Sequence, residues 1–471
     1  MTVQNLFELP ATELLARYRD RSLSPVDVVR SVLDRMAAWE PSIHATYALD
    51  EEAAMASARA SERRWAEGAP SGALDGVPIT LKENIATRGT PTPLGSAATV
   101  LVPAAHDAPA AARVREAGAV IVAKTTMPDF GLLGAAASSF HPLTRNPWNT
   151  AFNTGGSSSG AGAAAAAGYG PLHLGSDIGG SVRIPASFCG VFGLKPSHGR
   201  VPVDPPAPAR VIGPLTRTVA DAALLMQVVA RPDVRDYLSL PPQDISWGEL
   251  GRSPRGLRIG LWTQPEGQPW QVEPEVLAAV HGAARVFEAA GAIVEPVRDW
   301  TTDEMRLGIL HFFTMRCRVE LAAMPPERAS RAADYIHQAA ELAAALSPED
   351  VFRAFPRMQA MQAATVAATG DFDFVLSPVL PVLPFAAEAT SSDAQLPLRD
   401  SHFTMPFNPS GQPAASIRCG MSSAGLPIGL QIVGRRFDDL GVLQMAHFYE
   451  SARGAQAPWP HPPVNSPEVA P

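Results

Sequence analysis

The hydrophobic and polar positions of the chain repeat with two periods, one typical of helices and the other of strands. Amphipathic helices are expected where apolar residues recur at helical spacing, and strands where short runs are rich in β-branched residues. The helical pattern covers residues 11–18, 25–39, 110–117, 274–290, 303–368 and 440–452, and the strand pattern covers residues 77–82, 119–124, 256–262, 292–297, 372–376, 414–419 and 426–433. Because strands alternate with helices, the pattern predicts an α/β fold.

One stretch, residues 146–213, breaks this pattern. It is rich in Gly, Ser and Pro and has little periodicity apart from an alanine run at 163–167, which predicts a small-residue helix between Gly162 and Gly168. A loop-rich stretch of this length inside a compact domain is usually functional. We therefore expect functional residues within it.

The composition is that of a globular protein, since hydrophobic residues make up 46% and charged residues 18% of the 471 positions. A net charge of −8 argues against a nucleic-acid partner, which would need a clustered basic face. No run approaches the roughly 20 apolar residues that span a bilayer, and the first residues lack a signal-peptide pattern. We therefore expect no membrane span and a cytoplasmic location.

Metal and nucleotide sites have no local support in the sequence. The 11 histidines are scattered, and Cys189, Cys317 and Cys419 form neither a disulfide framework nor a zinc pattern. Neither a phosphate-binding loop nor a dinucleotide-binding glycine motif is present. We expect no cofactor and no metal, with the cysteines as buried thiols.

Residues 156–160 (GSSSG) formally match the G-x-S-x-G nucleophile elbow. Such an elbow needs a hydrophobic strand that runs directly into the serine, whereas here a polar loop at residues 146–155 precedes it. What remains is a serine- and glycine-rich segment together with a lysine at the end of an apolar run. That combination is a known way to activate a serine without histidine.

Lys82 ends the apolar run at residues 77–81. Burial would lower its pKa because the ammonium form loses hydration, and a neutral Lys82 would accept a proton near pH 7. The apolar run alone is equally consistent with a Lys82 side chain that reaches solvent or that pairs with Glu83.

Ser181 follows two glycines that let successive backbone N–H groups converge on one point, as in an oxyanion hole. An ordinary glycine-rich turn has the same composition, so both interpretations stay open for this segment.

Three segments together resemble the amidase signature family of serine hydrolases. They are residues 74–84 (LDGVPITLKEN), 155–160 (GGSSSG) and 175–186 (GSDIGGSVRIPA), with further matches at residues 144–148, 188–196, 213–221 and 425–431. The resemblance runs from about residue 10 to residue 452. It implies one large α/β domain over residues 1–471, built on a central mixed, twisted β-sheet that is covered by helices on both faces.

The domain is expected to have four recognisable parts. They are an N-terminal helical layer at residues 1–70, a signature core at residues 74–221, a helical substrate-pocket segment at residues 303–368 and a loose Pro-rich tail at residues 458–471.

The resemblance implies a Ser–cis-Ser–Lys triad. Ser181 would be the nucleophile that forms an acyl-enzyme, Ser157 would pass protons between Ser181, Lys82 and the leaving amine, and Lys82 would be the base. The remaining implied roles are an oxyanion hole from the backbone N–H groups of Ile178, Gly179, Gly180 and Ser181, substrate binding by Gly131, Gly155 and Gly156, and structural support of the loop by Ser158.

Four positions depart from the family pattern. Ser159 stands where glycine is usual, Thr126 and Asp129 replace the commoner Asn and Glu, and Arg418 occupies a position where proline is frequent. These departures indicate a subgroup with its own substrate.

The implied function is hydrolysis of amide C–N bonds, with a small-molecule amide or carbamate and water as the reactants, by a monomer or homodimer. A Met- and Phe-rich stripe favours a pocket for bulky hydrophobic or aryl groups, although such a stripe also forms plain core. Its members are Ile309, Phe312, Phe313, Met315, Met324, Phe352 and Met358. Alternatives are a carbamate (urethane) hydrolase with amidase and esterase activity, a glutamine amidotransferase subunit, or a binding protein that is catalytically silent.

Lysine is rare in this chain. Of 38 basic residues, only Lys82, Lys124 and Lys195 are lysines. Because arginine cannot act as a base, the lysines that persist are candidates for roles that arginine cannot fill. This supports a functional Lys82, while Lys124 and Lys195 are interpreted as compact structural cations.

Overall fold

The computed structural model describes residues 5–396 and 398–462. Its strands are β1 (Thr46–Tyr47), β2 (Pro78–Lys82), β3 (Val120–Thr125), β4 (Leu172–Asp177), β5 (Phe192–Lys195), β6 (Val211–Thr216), β7 (Arg258–Leu261), β8 (Ile293–Pro296), β9 (Phe374–Pro378), β10 (Ala414–Met421) and β11 (Pro427–Gly434). Its α-helices are α1 (Ala11–Arg19), α2 (Pro25–Ile43), α3 (Glu51–Glu67), α4 (Pro109–Glu116), α5 (Ser159–Ala167), α6 (Arg183–Cys189), α7 (Val219–Val229), α8 (Pro274–Ala289), α9 (Asp303–Ala322), α10 (Pro326–Ala329), α11 (Asp334–Ala344), α12 (Pro348–Thr369) and α13 (Asp439–Ala452).

These strands join in one mixed sheet with the order β1-β3-β2-β4-β6-β5-β10-β11-β9-β7-β8. β2 runs parallel to β3 and β4, and the pairs from β4 through β6, β5, β10 and β11 to β9 are antiparallel. β7 is parallel to both β8 and β9. With helices flanking the sheet, this confirms the predicted α/β class and mixed sheet.

The stretch at residues 146–213 holds more regular structure than its composition predicts, so that interpretation was wrong in part. It contains β4, β5, α6 and the start of β6, and α5 begins at Ser159, before the alanine run. β6 includes Gly213 and Pro214, which are typical of loops in a sequence. Pairing with β4 on one side and β5 on the other overrides this local preference.

The alternation of side chains along β2 determines the face of the sheet on which the Lys82 side chain lies. Ile79 and Leu81 join the largest apolar core together with Leu172 and Leu174 of β4. Because successive side chains of a strand point to opposite faces, Lys82 leaves the sheet on the other face. There it meets the segment that leads into α5, a helix built only of Ser, Gly and Ala whose residues are all buried.

The predicted helical segment at residues 303–368 forms α9, α10, α11 and α12, which together connect β8 to β9. α9 packs against both α11 and α12. In the part of the chain that the structure describes, no helix combines the length and the apolar character needed to cross a membrane.

The expectation of a loose tail at residues 458–471 needs correction where the structure describes it. Trp459 packs beside Trp148 and between the guanidinium groups of Arg217 and Arg418, at 4.7 and 5.3 Å from the ring centroid. Cation–π contacts of this kind hold an aromatic ring in place. Residues 463–471 lie outside the described part.

Candidate active site

The Lys82 ammonium nitrogen is fully buried among hydroxyl groups. Nζ lies 2.8 Å from Ser157 Oγ and 3.1 Å from both Ser158 Oγ and Ser176 Oγ. The Ser176 hydroxyl also accepts a hydrogen bond from Asn84 Nδ2 at 2.9 Å. Lys82 is therefore surrounded by neutral polar groups.

Burial lowers the pKa of Lys82 to about 7, because the charged form loses its hydration. The negative charges of Asp177 and Glu83 oppose this shift, and the positive charge of Arg210 adds to it. The Glu83 carboxylate itself is directed to His141, with Oε2 at 2.5 Å from Nε2. The alternatives in which Lys82 reaches solvent or pairs directly with Glu83 are therefore wrong.

Ser157 lies in the turn before α5, and the Gly156–Ser157 peptide bond is cis, as the resemblance implied. The next residue, Ser158, is fully buried and donates from Oγ to the carbonyl oxygen of Ser176 at 3.2 Å. No strand runs directly into Ser158, in agreement with the rejection of a nucleophile elbow. Its contacts are those of a group that supports the loop.

The loop that carries Ser181 connects β4 to α6 and is fixed by the buried carboxylate of Asp177. Asp177 accepts from the backbone N–H groups of Gly180 at 2.8 Å and Val182 at 3.0 Å. It also receives two hydrogen bonds from Arg183, at 2.9 and 3.1 Å. Burial alone would raise the pKa of Asp177, but the charge and hydrogen bonds of Arg183 outweigh it and hold this pKa well below its usual range.

This arrangement reduces the number of backbone N–H groups that are available to the predicted oxyanion hole. Gly180 N–H is already engaged by Asp177, so its assignment to the oxyanion is corrected. Among the described residues, the N–H groups of Ile178, Gly179 and Ser181 have no hydrogen-bond partner, and all three residues line the cavity described below. These three backbone N–H groups are therefore the ones that remain available as donors in this loop.

Gly180 has a φ of +127°, and a Cβ atom at this position would lie 2.4 Å from Thr404 Oγ1. We expect Gly180→Ala to lower the thermal midpoint and the catalytic rate together, because both the backbone and Thr404 must move. Gly425→Ala is the matched control, since Gly425 has a φ of +73° with no atom within 4 Å of the added Cβ. This control should lose only about 1 kcal/mol of unfolding free energy. Equal thermal midpoints and rates in the two variants would contradict the steric explanation.

Ser157, Ser181 and Ser176 line one cavity of about 410 Å³. Gly131 borders it as well, and a Cβ atom on Gly131 would lie 3.2 Å from Ser157 Oγ. The apolar part of the wall is formed by Leu94, Met127, Phe130, Leu132, Leu133, Ile184, Leu310, Phe313, Ala339, Leu342 and Met405. Gly155 and Gly156 adjoin Ser157 in the chain but do not line the cavity.

The Met and Phe stripe of α9 to α12 contributes less to this cavity than the sequence predicts. Of its seven residues only Phe313 lines the cavity. Met324 packs into the small core around Phe130, and Phe352 is 76% exposed. The apolar wall comes from residues 94–133, from Ile178 and Ile184, from α9 and α11, and from residues 394–405.

Several polar groups at the site were not assigned from the sequence. Ser176 and Asp177 lie within a signature segment, which is a signal that was available, but their partners come from distant parts of the chain. Asn408 Nδ2 donates to Asp177 Oδ1 at 2.9 Å, and Gln431 Oε1 accepts from Arg183 Nη1 at 2.8 Å. Among the described residues, no group of three or more His, Cys, Asp or Glu side chains is placed to hold a metal ion.

The positions that depart from the family pattern have structural partners. Asp129 is buried and accepts from Ser139 N at 2.7 Å and Ala333 N at 3.1 Å, which joins the cavity wall to the residues before α11. Arg418 lies over the rings of Trp148 and Trp459, each at 5.3 Å. Neither side chain lines the cavity.

The sequence profile of the Amidase family matches residues 27–443. This chain belongs to the amidase family. Among curated relatives, an acylamidase of Rhodococcus erythropolis is 36% identical over 98% of both chains. A glutamyl-tRNA(Gln) amidotransferase subunit of Synechococcus sp. (strain CC9605) is 34% identical over 91% of this chain and 93% of its own length.

Solved structures are similar to this amidase over nearly its whole length. A bacterial aryl acylamidase of the amidase signature family has a TM-score of 0.87 and 30% identity, covering 94% of this chain and 96% of its own. A 6-aminohexanoate cyclic dimer hydrolase also has a TM-score of 0.87, with 27% identity over 97% of this chain and 99% of its own. This amidase is thus a hydrolase of amides with the amidase signature fold.

Proposed function

We propose that this amidase hydrolyses amides through an acyl-enzyme on Ser181. Ser181 Oγ attacks the carbonyl carbon, its proton passes to Ser157, and the proton of Ser157 passes to Lys82. The backbone N–H groups of Ile178, Gly179 and Ser181 stabilise the negative charge on the carbonyl oxygen. The C–N bond then breaks as Ser157 returns a proton to the amine, and water repeats the sequence to release the acid.

The observation that carries this proposal is the set of hydrogen bonds around buried Lys82. A neutral amine has two N–H donors and one lone pair, and three hydroxyl groups lie within 3.1 Å of Nζ. Ser158 Oγ already uses its own proton on the carbonyl of Ser176. The two N–H groups can therefore bind Ser158 and Ser176, while the lone pair accepts the proton of Ser157, whose hydroxyl lies nearest to Nζ.

The proposed substrates are amides with a bulky hydrophobic or aryl group. The wall of the cavity supports this class, since half of the side chains that line it are apolar. The similarity to an acylamidase and to an aryl acylamidase supports it too. Carbamates and esters with the same groups are proposed as side substrates, because the triad needs only an activated carbonyl and a leaving group that it can protonate.

Glutamine amidotransfer is the second candidate, favoured by the similarity to a glutamyl-tRNA(Gln) amidotransferase subunit over most of the chain. Four substrates separate these candidates: an acyl 4-nitroanilide, the aryl carbamate with the same leaving group, a primary aliphatic amide and glutamine. We expect kcat/KM for the anilide to exceed that for glutamine by at least about 100-fold, since each buried methylene contributes about 0.8 kcal/mol. Preference for glutamine would reject the hydrophobic-amide class and leave the triad proposal intact.

A further inference from the structure

Two guanidinium groups line the cavity that contains Ser157 and Ser181. Arg210 directly precedes β6 and donates to the carbonyl oxygen of Pro205. Arg316 lies on α9 and donates from Nη2 to the carbonyl oxygen of Phe130 at 2.7 Å. Because a guanidinium carries five N–H donors, each group keeps most of its hydrogen-bonding capacity unused.

Neither guanidinium has an acidic partner within 4.0 Å among the described residues. Two of the four buried arginines among the described residues do have one, since Arg183 is paired with Asp177, and Arg200 with Asp439 at 3.0 Å, whereas Arg35 and Arg418 contact backbone carbonyls and aromatic rings instead. Nε of both Arg210 and Arg316 is also buried without a hydrogen-bond partner. Both side chains are half-buried, and removing a cation from water without an anion beside it is costly, so this pair of arginines is suited to a negative charge that is not part of the protein.

Two carboxylates also border the cavity, and neither neutralises the pair. Asp400 accepts from the backbone N–H of Ser392 at 2.9 Å and from the hydroxyl of the same residue. Glu320 lies one helical turn after Arg316 on α9, and its charge acts on Arg316 from beyond ion-pair distance. Burial lowers the pKa of Arg210, and the positive charge of Arg316 lowers it further, so the two guanidinium groups repel each other.

Both arginines lie beside the reacting groups. The carbonyl held by Arg316 belongs to Phe130, which directly precedes Gly131 on the wall next to Ser157. In the antiparallel pair of β4 and β6, Asp177 lies opposite Val211. This register places Arg210 beside Ile178, the first residue of the Ser181 loop. An anion bound by the two arginines would therefore lie next to the scissile bond.

We propose that the preferred substrate is an amide that carries a carboxylate, and that Arg210 and Arg316 bind this carboxylate while the apolar wall holds the rest of the molecule. Guanidinium groups bind carboxylates with two parallel hydrogen bonds, which gives orientation as well as affinity. The inference rests on the proposed amide hydrolysis and narrows its substrate class. The opposing interpretation is a purely structural clamp, as for Arg217, which donates to the carbonyls of Ala165 and Ala166.

The test compares two chromogenic substrates that differ only in charge, glutaric acid mono-4-nitroanilide and its methyl ester. For the wild-type enzyme we expect kcat/KM to be at least about tenfold higher for the acid, because hydrogen bonds to a charged group are stronger than those to a neutral one. Arg210→Met and Arg316→Met should each lower the acid-to-ester ratio by about 10- to 100-fold, mainly through KM. Arg318→Met, an exposed arginine on α9, is the matched control and should leave the ratio unchanged.

A wild-type ratio of one or less, or an unchanged ratio in both cavity variants, would overturn the inference. The acid-to-ester ratio of kcat/KM is measured on the wild-type enzyme as well. The test therefore stays decisive even if Arg210→Met or Arg316→Met folds poorly. If neither substrate is hydrolysed, the proposed function fails. Calorimetric binding of the two compounds to Ser181→Ala then decides the inference: selective binding of the acid supports a carboxylate site, and equal or absent binding rejects it.

Discussion

Replacement of Ser181 by alanine is expected to lower kcat for an acyl 4-nitroanilide by at least about 1,000-fold, because no other group can form the acyl-enzyme. The fold should survive, since the carboxylate of Asp177 fixes this loop through the N–H groups of Gly180 and Val182 and not through the Ser181 side chain. The rate is measured with the anilide. The covalent step is measured as the mass of a fluorophosphonate adduct mapped to its peptide.

Ser416→Ala is the matched control for Ser181→Ala. Ser416 is a buried serine on β10 whose hydroxyl has no hydrogen-bond partner, and it does not line the cavity. Its variant should retain the wild-type rate and the adduct. An adduct mapped to a residue other than Ser181, together with full activity of Ser181→Ala, would refute the mechanism.

The second large effect is expected on replacement of Lys82, whose contribution to the rate depends on pH. Since Lys82 has a lowered pKa of about 7, it is neutral above this pH and can accept a proton there. As the pH falls through about 7 the amine becomes protonated, so kcat/KM should drop by about tenfold per pH unit. Lys82→Met and Lys82→Arg should both lose at least about 1,000-fold in kcat, because neither side chain acts as a base at these pH values.

The stability of Lys82→Met separates catalysis from folding. In the unfolded chain a lysine stays protonated up to about pH 10.4, whereas folded Lys82 loses its proton above about 7. The unfolded state thus binds more protons between these values, so burial of this group lowers stability at neutral pH and the cost disappears as the pH rises to about 10.4. We expect the thermal midpoint of Lys82→Met at pH 7 to be no lower than that of the wild type.

Lys124 provides the control for the pH profile. Burial lowers its pKa to about 7 as well, but its Nζ donates to Thr87 Oγ1 at 2.6 Å and to the carbonyl of Ile85, away from the serines. Lys124→Met should leave the pH midpoint of kcat/KM in place. The assignment of Lys82 as the base would be contradicted by the opposite result. In that case the pH midpoint of kcat/KM would move in Lys124→Met and would stay in place in a Lys82 variant with a lowered rate.

Local sequence pattern predicted the elements that have strong periodicity. β2, β3, α8 and the β10–β11 pair follow the expected runs closely, because their apolar spacing reflects burial on one or both faces. β4, β5 and β6 were missed because glycine and proline interrupt their alternation. Only the neighbouring strands of the sheet supply the hydrogen bonds that make these segments extended.

The candidate site was predicted unevenly for a similar reason. Lys82, Ser157 and Ser181 lie in short motifs, so their positions were accessible from the sequence. The Asp177 network depends on Asn408, which is 231 positions away, and no local pattern marks such a partner. Helical periodicity likewise shows that one face of a helix is covered without showing what covers it, so the sequence left both a pocket and plain core open for the Met and Phe stripe, of which only Phe313 lines the cavity.

The three lysines of the chain share one kind of environment in the structure. Lys82, Lys124 and Lys195 are all buried, and burial lowers the pKa of each to about 7. A lysine in such a place can become neutral, whereas a guanidinium keeps its charge. Lys195 donates to the carbonyl oxygen of Pro196 at 2.9 Å, and its interpretation as a structural cation stays a prediction.

The crossover between β8 and β9 has a consequence for the diversification of this enzyme. α9 to α12 form one continuous segment between two strands that both pair with β7. Lys82, Ser157 and Ser181 all precede it in the chain. We therefore expect recombination of residues 303–369 between relatives to change part of the substrate wall, including the position of Arg316, as long as hydrogen bonds such as that from Ala333 N to Asp129 are kept.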